Sequence, residues 1–193
     1  MNSIAVYCGS SAGLDPRFTE QATFTGQAFA QRGITLVFGG GKVGLMGAVA
    51  DAVMQNGGRA IGVIPDFLKQ KEVAHMGLTE LEVVETMHQR KLRMADLSDG
   101  FIALPGGFGT LEELFEVLTW GQLGLHHKPV GVLNVAGFYD GLLHLLDHMT
   151  QQGLLRPENR QMLLVATTID ELLTQMHAWQ PPRVEKWLTP PLT

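Results

Sequence analysis

The chain has 193 residues, of which 45% are hydrophobic, and its formal net charge is −5 at pH 7. This length and composition suit one domain with a substantial core, which we expect at 1–180, followed by an extended, proline-rich tail at 181–193. The acidic balance and the scattered Lys and Arg argue against a nucleic acid polymer as partner, and the single cysteine, Cys8, excludes an internal disulfide framework and a cysteine-based zinc site.

The chain opens with MNSIAVYCGSS, which has the pattern of a short apolar strand and not that of a signal peptide. No later window approaches the roughly 20 apolar residues of a membrane span. We therefore expect a cytoplasmic protein without a membrane partner.

Short apolar runs rich in β-branched residues alternate with longer segments of helical periodicity, as a parallel sheet with crossover helices requires. The predicted strands lie at 4–8, 34–38, 60–64, 81–84, 101–104, 130–133 and 163–166. The predicted helices lie at 16–32, 45–56, 87–97, 111–123, 139–152 and 169–179. Together they predict an α/β fold, a Rossmann-like doubly wound sandwich of about seven mostly parallel strands with helices on both faces.

Folds of this class bind ligands outside the carboxyl ends of the strands. Four loops lie at that edge of the predicted sheet, at 9–13, 39–47, 65–75 and 105–110. We expect these loops to converge on one crevice.

The loop after the second predicted strand reads GGGKVGLMG at 39–47 and matches the Gly-x-Gly-x-x-Gly pattern of dinucleotide sites. That pattern also needs an acidic residue about 20 positions later, at the end of the next strand, and none occurs before Asp66. The loop is not a Walker A loop, because Lys42 is not followed by Ser or Thr. We expect Gly40 and Gly41 to contact phosphate or ribose; a merely tight strand-to-helix turn is the alternative.

The segment MHQRK at 87–91 begins a predicted helix, with Arg90 and Lys91 on adjacent faces of its first turn and Met87, Lys91 and Met94 on a shared side. Cations are disfavoured at a helix N-terminus by about 0.3 to 1 kcal/mol each. Two solvated cations are the commoner arrangement for such a pair. An anionic ligand or a neighbouring carboxylate would remove the conflict.

The fifth predicted strand runs into PGGFGTLEE at 105–113. Gly106, Gly107 and Gly109 let the backbone approach a ligand closely, and a helix beginning near Thr110 directs free N–H groups at an anion. The loop is therefore predicted to hold a phosphate.

Carboxylates follow this loop immediately inside the helix. Glu113 is placed to pair with Thr110 in a capping box, but a cap needs only one acid and the helix also carries Glu112 and Glu116. We therefore expect chemistry beside the phosphate site.

Metal chemistry has little support in the sequence. His144 and His148 are spaced i, i+4 on a predicted helix, but no third ligand accompanies them. Cys8 has no His and Asn partners in a recognisable arrangement and is expected to be a small buried residue. We expect no metal and no organic cofactor.

Three motifs occur together, at 39–47, 87–91 and 105–113, and in this order and spacing they closely resemble the LOG ("lonely guy") family. Its members are cytokinin-activating phosphoribohydrolases that are often mislabelled as lysine decarboxylases. The similarity extends from VYCGSS at 6–11 to TWGQLGLHHKP at 119–129. The resemblance implies hydrolysis of the N-glycosidic bond of an N6-substituted adenosine 5′-monophosphate, to free base and ribose 5-phosphate, by a homodimer with active sites near the subunit interface.

The resemblance also implies site residues. The catalytic pair of the family corresponds to Arg90 and Glu113. The implied substrate contacts are Glu72, Lys91, Gly106, Gly107, Phe108, Gly109, Thr110, Glu112 and Thr119, beside Gly40 and Gly41. In this scheme Glu113 acts at the ribosyl cation as nucleophile, base or electrostatic stabiliser, and Arg90 holds it ionised and oriented.

Two alternative functions stay open. An AMP or other 5′-nucleotide nucleosidase of broader specificity would use the same phosphate and sugar contacts. A non-catalytic Rossmann-like nucleotide carrier or sensor would bind the nucleotide without turnover. A lysine decarboxylase is not favoured, because pyridoxal phosphate needs a Schiff-base lysine that no Lys context supports.

Overall fold

The computed structural model describes residues 1–69 and 73–181, in which strands and helices alternate. The strands are β1 (Ser3–Tyr7), β2 (Thr35–Phe38), β3 (Ala60–Pro65), β4 (Glu80–Val84), β5 (Gly100–Ala103), β6 (Val130–Leu133) and β7 (Leu163–Ala166). The helices are α1 (Pro16–Arg32), α2 (Gly44–Gln55), α3 (Met87–Asp96), α4 (Phe108–Gln122), α5 (Asp140–Gln151), α6 (Pro157–Arg160) and α7 (Ile169–Ala178). Short 3-10 turns occupy Asp66–Leu68 and Val135–Gly137.

All seven strands join one parallel sheet in the order β4-β3-β2-β1-β5-β6-β7. The chain builds outward from β1 to β4 and then returns to pair β5 with the other side of β1. This reversal leaves a crevice outside the carboxyl ends of β1 and β5, where α/β sheets bind their ligands. The predicted α/β class and the parallel seven-stranded sheet are confirmed.

Two apolar layers cover the sheet, because successive side chains of a strand point to opposite faces. On β1, Ile4 and Val6 join a core with side chains of α1, α2 and α7. Ala5 and Tyr7 join the opposite core with side chains of α3, α4 and α5. The second layer therefore brings α3 and α4 to the sheet beside the crevice.

The start of α4 differs from the prediction. The helix begins at Phe108, with Gly107 as its N-cap residue, so Thr110 lies inside the first turn and the proposed capping box with Glu113 is wrong. Thr110 is buried instead, and a Cβ on Gly106 would lie 2.1 Å from its hydroxyl oxygen. Tertiary packing of Thr110 against this glycine has replaced the local cap.

A capping box does occur at α3, where no cap was predicted. The Thr86 hydroxyl accepts the Gln89 N–H at 3.1 Å, and the Gln89 side-chain oxygen accepts the Thr86 N–H at 3.3 Å. The expected tail at 181–193 lies, beyond Pro181, outside the described residues. Within the described part of the chain, no helix is long and apolar enough to cross a membrane.

Candidate active site

A cavity of about 300 Å³ opens outside the carboxyl ends of the strands on both sides of the reversal. Each of the four predicted loops contributes to its wall, through Gly9, Gly39, Leu68 and Gly107 respectively. The expected convergence of these loops on one crevice is therefore confirmed for their described residues.

Arg90 is buried in the wall of this cavity, with 5% of its surface exposed. Its Nε donates to the Val63 carbonyl at 3.1 Å, and its Nη2 donates to the Gly39 carbonyl at 2.7 Å. Val63 lies within β3, and Gly39 lies directly after β2. The guanidinium is thus oriented by the sheet itself, and the solvated arrangement of the Arg-Lys pair is wrong.

Gly39 has a specific role in this arrangement. A Cβ at this position would lie 2.0 Å from Arg90 Nη2, so no larger residue fits without moving the guanidinium. The first glycine of the GGGK motif therefore makes room for Arg90, a function that its resemblance to a dinucleotide loop did not indicate.

Lys91 faces away from the cavity and towards α4. Its Nζ donates to Glu112 Oε1 at 2.5 Å and to Glu116 Oε1 at 2.9 Å. Burial by itself lowers the pKa of Lys91, but its hydrogen bonds to the two carboxylates outweigh burial and raise the pKa above its ordinary value. The ion pairs account for two of the three acids near the start of α4.

The third acid, Glu113, lines the cavity together with Glu112 and Arg90. Its charge acts on two buried neighbours, Tyr7 at the end of β1 and Cys8 directly after it. Burial raises the pKa of the Cys8 thiol, and the Glu113 carboxylate raises it further. Burial likewise raises the pKa of Tyr7, with Glu113 as the next contributor. Cys8 is thus held as a neutral thiol, as a buried residue without a nucleophilic role should be.

The PGGFGT loop forms the wall opposite Leu68, and the Gly9 N–H donates to the Pro105 carbonyl at 3.0 Å to fasten it to the loop after β1. A Cβ on Gly107 or Gly109 would meet no heavy atom within 4 Å, so both glycines border open space. No side-chain hydrogen bond caps the start of α4. Its first backbone N–H groups can therefore bind an anion.

Several predicted site residues in the described part of the chain do not line this cavity, namely Gly40, Gly41, Lys91, Gly106 and Thr119. Gly40 has a φ of +76° and packs against Ile64 and Leu81, and Gly41 forms an antiparallel bridge with Ala74. Thr119 is exposed on α4, where its hydroxyl donates to the Phe115 carbonyl. Glu72 lies outside the described residues. Substrate contact stays a prediction for all the site residues that the sequence indicates.

An apolar part of the wall was missed in the sequence. It consists of Met46, Leu68, Met87 and Met94, together with Val6. The spacing of Met87, Arg90 and Met94 on α3 could have indicated this wall. From the sequence, Lys91 is instead assigned to the side of the two methionines. Methionines fill irregular gaps and adapt their shape, so this wall suits an apolar group of the ligand.

The described residues contain no cluster of three or more His, Cys, Asp or Glu that could hold a metal ion. The cavity can bind a phosphate at the start of α4 and place an arginine and a carboxylate beside the adjoining group. Such an arrangement is suited to cleavage of a bond in a phosphorylated sugar.

Comparison with known proteins identifies relatives. A protein-family model described as "Possible lysine decarboxylase" matches residues 46–176. The probable cytokinin riboside 5′-monophosphate phosphoribohydrolase LOGL5 of Oryza sativa subsp. japonica is 48% identical over 179 residues, which are 93% of this chain and 73% of that protein. The cytokinin riboside 5′-monophosphate phosphoribohydrolase LOG7 of Arabidopsis thaliana is 47% identical over 178 residues, 92% of this chain and 82% of that protein.

Solved structures with the same fold include the Moco carrier protein from Chlamydomonas reinhardtii, with a TM-score of 0.68 and 21% identity over 91% of this chain and 97% of that chain. The molybdenum cofactor binding protein from Rippkaea orientalis has a TM-score of 0.67 and 22% identity over 91% of this chain and 95% of that chain. These likenesses establish the fold alone. The family follows from the sequence relatives, which share nearly half of their residues with more than nine tenths of this chain. The chain therefore belongs to the LOG family of phosphoribohydrolases.

Proposed function

We propose that this protein hydrolyses the N-glycosidic bond of N6-substituted adenosine 5′-monophosphates, the cytokinin riboside 5′-monophosphates, to the free base and ribose 5-phosphate. The names of its relatives support this activity. The observation that carries the proposal is that Arg90, from α3, and Glu113, from α4, line one cavity beside the open amino end of α4.

The 5′-phosphate of the substrate binds at the start of α4. Backbone N–H groups and the positive end of the helix dipole favour an anion there, and Gly107 and Gly109 leave space for it. Binding the phosphate uses a remote part of the substrate to place the anomeric carbon in front of the reacting groups. An unphosphorylated riboside lacks this contact and should be a poor substrate.

Glu113 acts at the ribose. Breaking the bond between the anomeric carbon and the base sends the bonding electrons to the base, which takes up a proton, and leaves an oxocarbenium-like cation. The Glu113 carboxylate stabilises this cation, and the oxygen of water ends on the anomeric carbon. Arg90 supplies fixed positive charge in the same wall, and two backbone carbonyls preserve its orientation.

The base and its N6 substituent face the apolar wall of Met46, Leu68, Met87 and Met94. The geometry of the sheet supports this placement, because Leu68 comes after β3 and Gly107 after β5. The two strands are three steps apart in the sheet, about 14 Å at the usual strand spacing. That span is similar to the length of a nucleoside monophosphate.

A lysine decarboxylase is not supported by the cavity, in spite of the description of the matching family model. Pyridoxal phosphate enzymes need a lysine that forms a Schiff base. No lysine is among the described residues that line the cavity, and the Lys91 ammonium is already paired with Glu112, which does line it, and with Glu116. The residues present do not fit that cofactor.

The activity is tested by incubating the protein with N6-isopentenyladenosine 5′-monophosphate, with AMP and with the unphosphorylated riboside, and measuring free base by chromatography. We expect release from the first substrate and little from the riboside. Comparable release from AMP would favour the broader nucleosidase. Tight nucleotide binding with no release from either monophosphate would favour the non-catalytic carrier.

The same assay tests the role of Glu113. Because removal of a positioned carboxylate costs about 10² to 10⁴ in rate, Glu113→Gln should lower kcat by at least about 100-fold while nucleotide binding persists. Glu171→Gln, in the exposed first turn of α7, is the matched control and should retain wild-type kcat. A Glu113→Gln protein with near wild-type turnover would contradict the assignment.

We also propose that the protein is a homodimer, as the family resemblance implies. Large apolar side chains are exposed along α4 and at its end, namely Phe108, Phe115 and Leu123, and Phe108 lies at the cavity wall with 94% of its surface exposed. A partner that covers this surface would lie next to the active site. The cytoplasmic location stays a prediction from the sequence.

A further inference from the structure

His75 and Asp51 lie outside the cavity and have no part in the proposed chemistry, yet they form a pair between two segments that build its wall. Asp51 lies on α2, which begins inside the segment 39–47, called the glycine loop below. His75 lies between β3 and β4. His75 Nε2 is 2.9 Å from Asp51 Oδ1. The histidine is 4% exposed, so this contact is shielded from solvent on the His75 side.

The second ring nitrogen of His75 also has a partner. Nδ1 accepts the backbone N–H of Gly77 at 3.1 Å. Because Nδ1 is an acceptor, we assign the proton of the ring to Nε2, which donates it to Asp51. Both nitrogens are thereby used, and the ring has one defined orientation.

Main-chain hydrogen bonds join the His75 segment to the glycine loop. The His75 N–H donates to the Gly40 carbonyl at 2.9 Å, and the Lys42 N–H donates to the Val73 carbonyl at 2.9 Å. Gly41 and Ala74 form the bridge between these two bonds. Residues 73–75 are therefore fastened to residues 40–42 across their whole length.

Val73, at one end of this attachment, has a strained backbone. Its φ of +48° is a conformation that β-branched residues rarely adopt. Such a conformation persists only where surrounding interactions hold it. Among the described residues, the interactions that can do so include the Lys42–Val73 hydrogen bond, the hydrogen bond from the Ala74 N–H to the Lys69 carbonyl and the His75–Asp51 pair.

The glycine loop connects this attachment directly to Arg90. The carbonyl of Gly40 accepts from His75, and the carbonyl immediately before it, that of Gly39, accepts from Arg90 Nη2. A displacement of the loop at Gly40 would move the acceptor that orients the guanidinium. The guanidinium lies directly against this backbone, because its Nη2 occupies the space that a Cβ of Gly39 would need.

We propose that His75 and Asp51 are positioning residues that hold the glycine loop and, through the Gly39 carbonyl, the guanidinium of Arg90. This inference rests on the proposed function, in which Arg90 acts in the cavity. It assigns a function to a buried histidine and a half-exposed aspartate that touch no substrate. In this proposal Gly40 and Gly41 support the site through their backbone without lining it.

The test compares Asp51→Ala and Asp51→Asn with wild-type protein in the base-release assay. Asp51→Ala removes the acceptor for His75 Nε2, and we expect kcat to fall roughly tenfold, since small misplacements of a catalytic group have large effects on rate. KM should change less. Asp51→Asn keeps an acceptor oxygen and should restore kcat to within about twofold of wild type.

Asp170→Ala is the matched control, because it removes a carboxylate that pairs with Arg32 at 2.8 Å on a surface far from the cavity. This variant should retain wild-type kcat. Thermal unfolding of every variant is measured so that all rates are compared on folded protein. Wild-type kcat in folded Asp51→Ala overturns the proposal.

A double-mutant cycle separates positioning of Arg90 from a general structural effect. If Asp51 acts through Arg90, then adding Asp51→Ala to Arg90→Ala should lower kcat no further. An additional tenfold loss in that background overturns the proposal. The proposal is supported if Asp51→Asn restores kcat and if Asp51→Ala does not lower kcat further in the Arg90→Ala background.

Hydrogen exchange distinguishes failure of this inference from failure of the proposed function. In Asp51→Ala, the amides of 39–47 should exchange faster than in wild type, whether or not the protein hydrolyses any nucleotide. Unchanged exchange of the amides of 39–47 overturns the proposal that His75 and Asp51 hold this segment. If the wild-type protein releases no base but the variant exchanges faster, the proposed function is refuted. The connection between the His75–Asp51 pair and the segment 39–47 then still holds.

Discussion

At the scale of single residues, the site depends on backbone groups as much as on side chains. Arg90 is held by the carbonyls of Val63, within β3, and of Gly39, directly after the neighbouring β2. A buried guanidinium needs such acceptors, because an unpaired buried donor costs about 1 to 3 kcal/mol or more. The orientation of the proposed catalytic arginine is therefore set by the sheet edge and by the absence of a side chain at position 39.

Replacement of Gly39 tests this dependence. In Gly39→Ala the new methyl would lie 2.0 Å from Arg90 Nη2, so the guanidinium must move. We expect kcat for base release to fall at least roughly tenfold, by the same sensitivity to misplacement. Gly141→Ala in α5, where a Cβ meets no heavy atom within 4 Å, is the control and should be unaffected. Equal rates for both variants would show that Arg90 need not keep this position.

At the scale of elements, α3 and α4 are joined by the ion pairs of Lys91 with Glu112 and Glu116. The two helices carry Arg90 and Glu113 respectively, so their relative position sets the geometry of the proposed catalytic pair. The charge of the buried Lys91 ammonium is compensated in this way by the two carboxylates on α4.

Lys91→Met should make this connection measurable as stability. The pKa of Lys91 is raised in the folded protein, so the charged form stabilises the fold at pH values below about 10.5, the pKa of an unperturbed lysine, and the stabilisation is lost as the pH rises through the folded pKa. We expect Lys91→Met to lower the free energy of unfolding by about 1 to 3 kcal/mol at pH 8. The difference from wild type should shrink above pH 11.

Urea unfolding at both pH values is the measurement, made without ligand. Arg32→Met serves as control, because its exposed pair with Asp170 should contribute no more than about 1 kcal/mol. A Lys91→Met protein as stable as wild type at pH 8 would mean that the buried ion pairs do not hold α3 to α4.

At the scale of the whole molecule, the reversal of strand order places one crevice at the centre of the sheet. Loops after β1, β2, β3 and β5 meet there, and both α3 and α4 lie on the same face. The exposed surface of α4 borders this crevice. A homodimer formed through that surface would place two active sites close to one interface.

Phe115→Asp tests the proposed interface. A charged residue at an apolar contact is disfavoured, because the carboxylate would lose its hydration on association. We expect the variant to sediment as a monomer at micromolar concentrations where the wild type is a dimer. Leu154→Asp, at an exposed position outside α4, should leave the dimer intact. A dimeric Phe115→Asp protein would place the interface elsewhere.

Much of the fold could be predicted because regular elements leave periodic patterns. α1, β6 and β7 have their predicted bounds, and the other strands differ by one residue at one or both ends. The four-residue α6 and the two 3-10 turns were not predicted, since they are too short for a periodic signal. The largest difference among the helices is the start of α4, which the packing of Thr110 against Gly106 moves towards the amino terminus.

The sequence by itself determined the α/β class, the four loops of the crevice and the family, because each depends on local patterns and motif spacing. The tertiary structure alone decided which of the two adjacent cations faces the cavity. Arg90 and Lys91 are about 100° apart on α3, and only the positions of α4 and of the carbonyls of Gly39 and Val63 select between them. Contacts between elements distant in the chain leave no periodic signal, and for this reason the apolar wall and the His75–Asp51 pair could be seen only in the folded molecule.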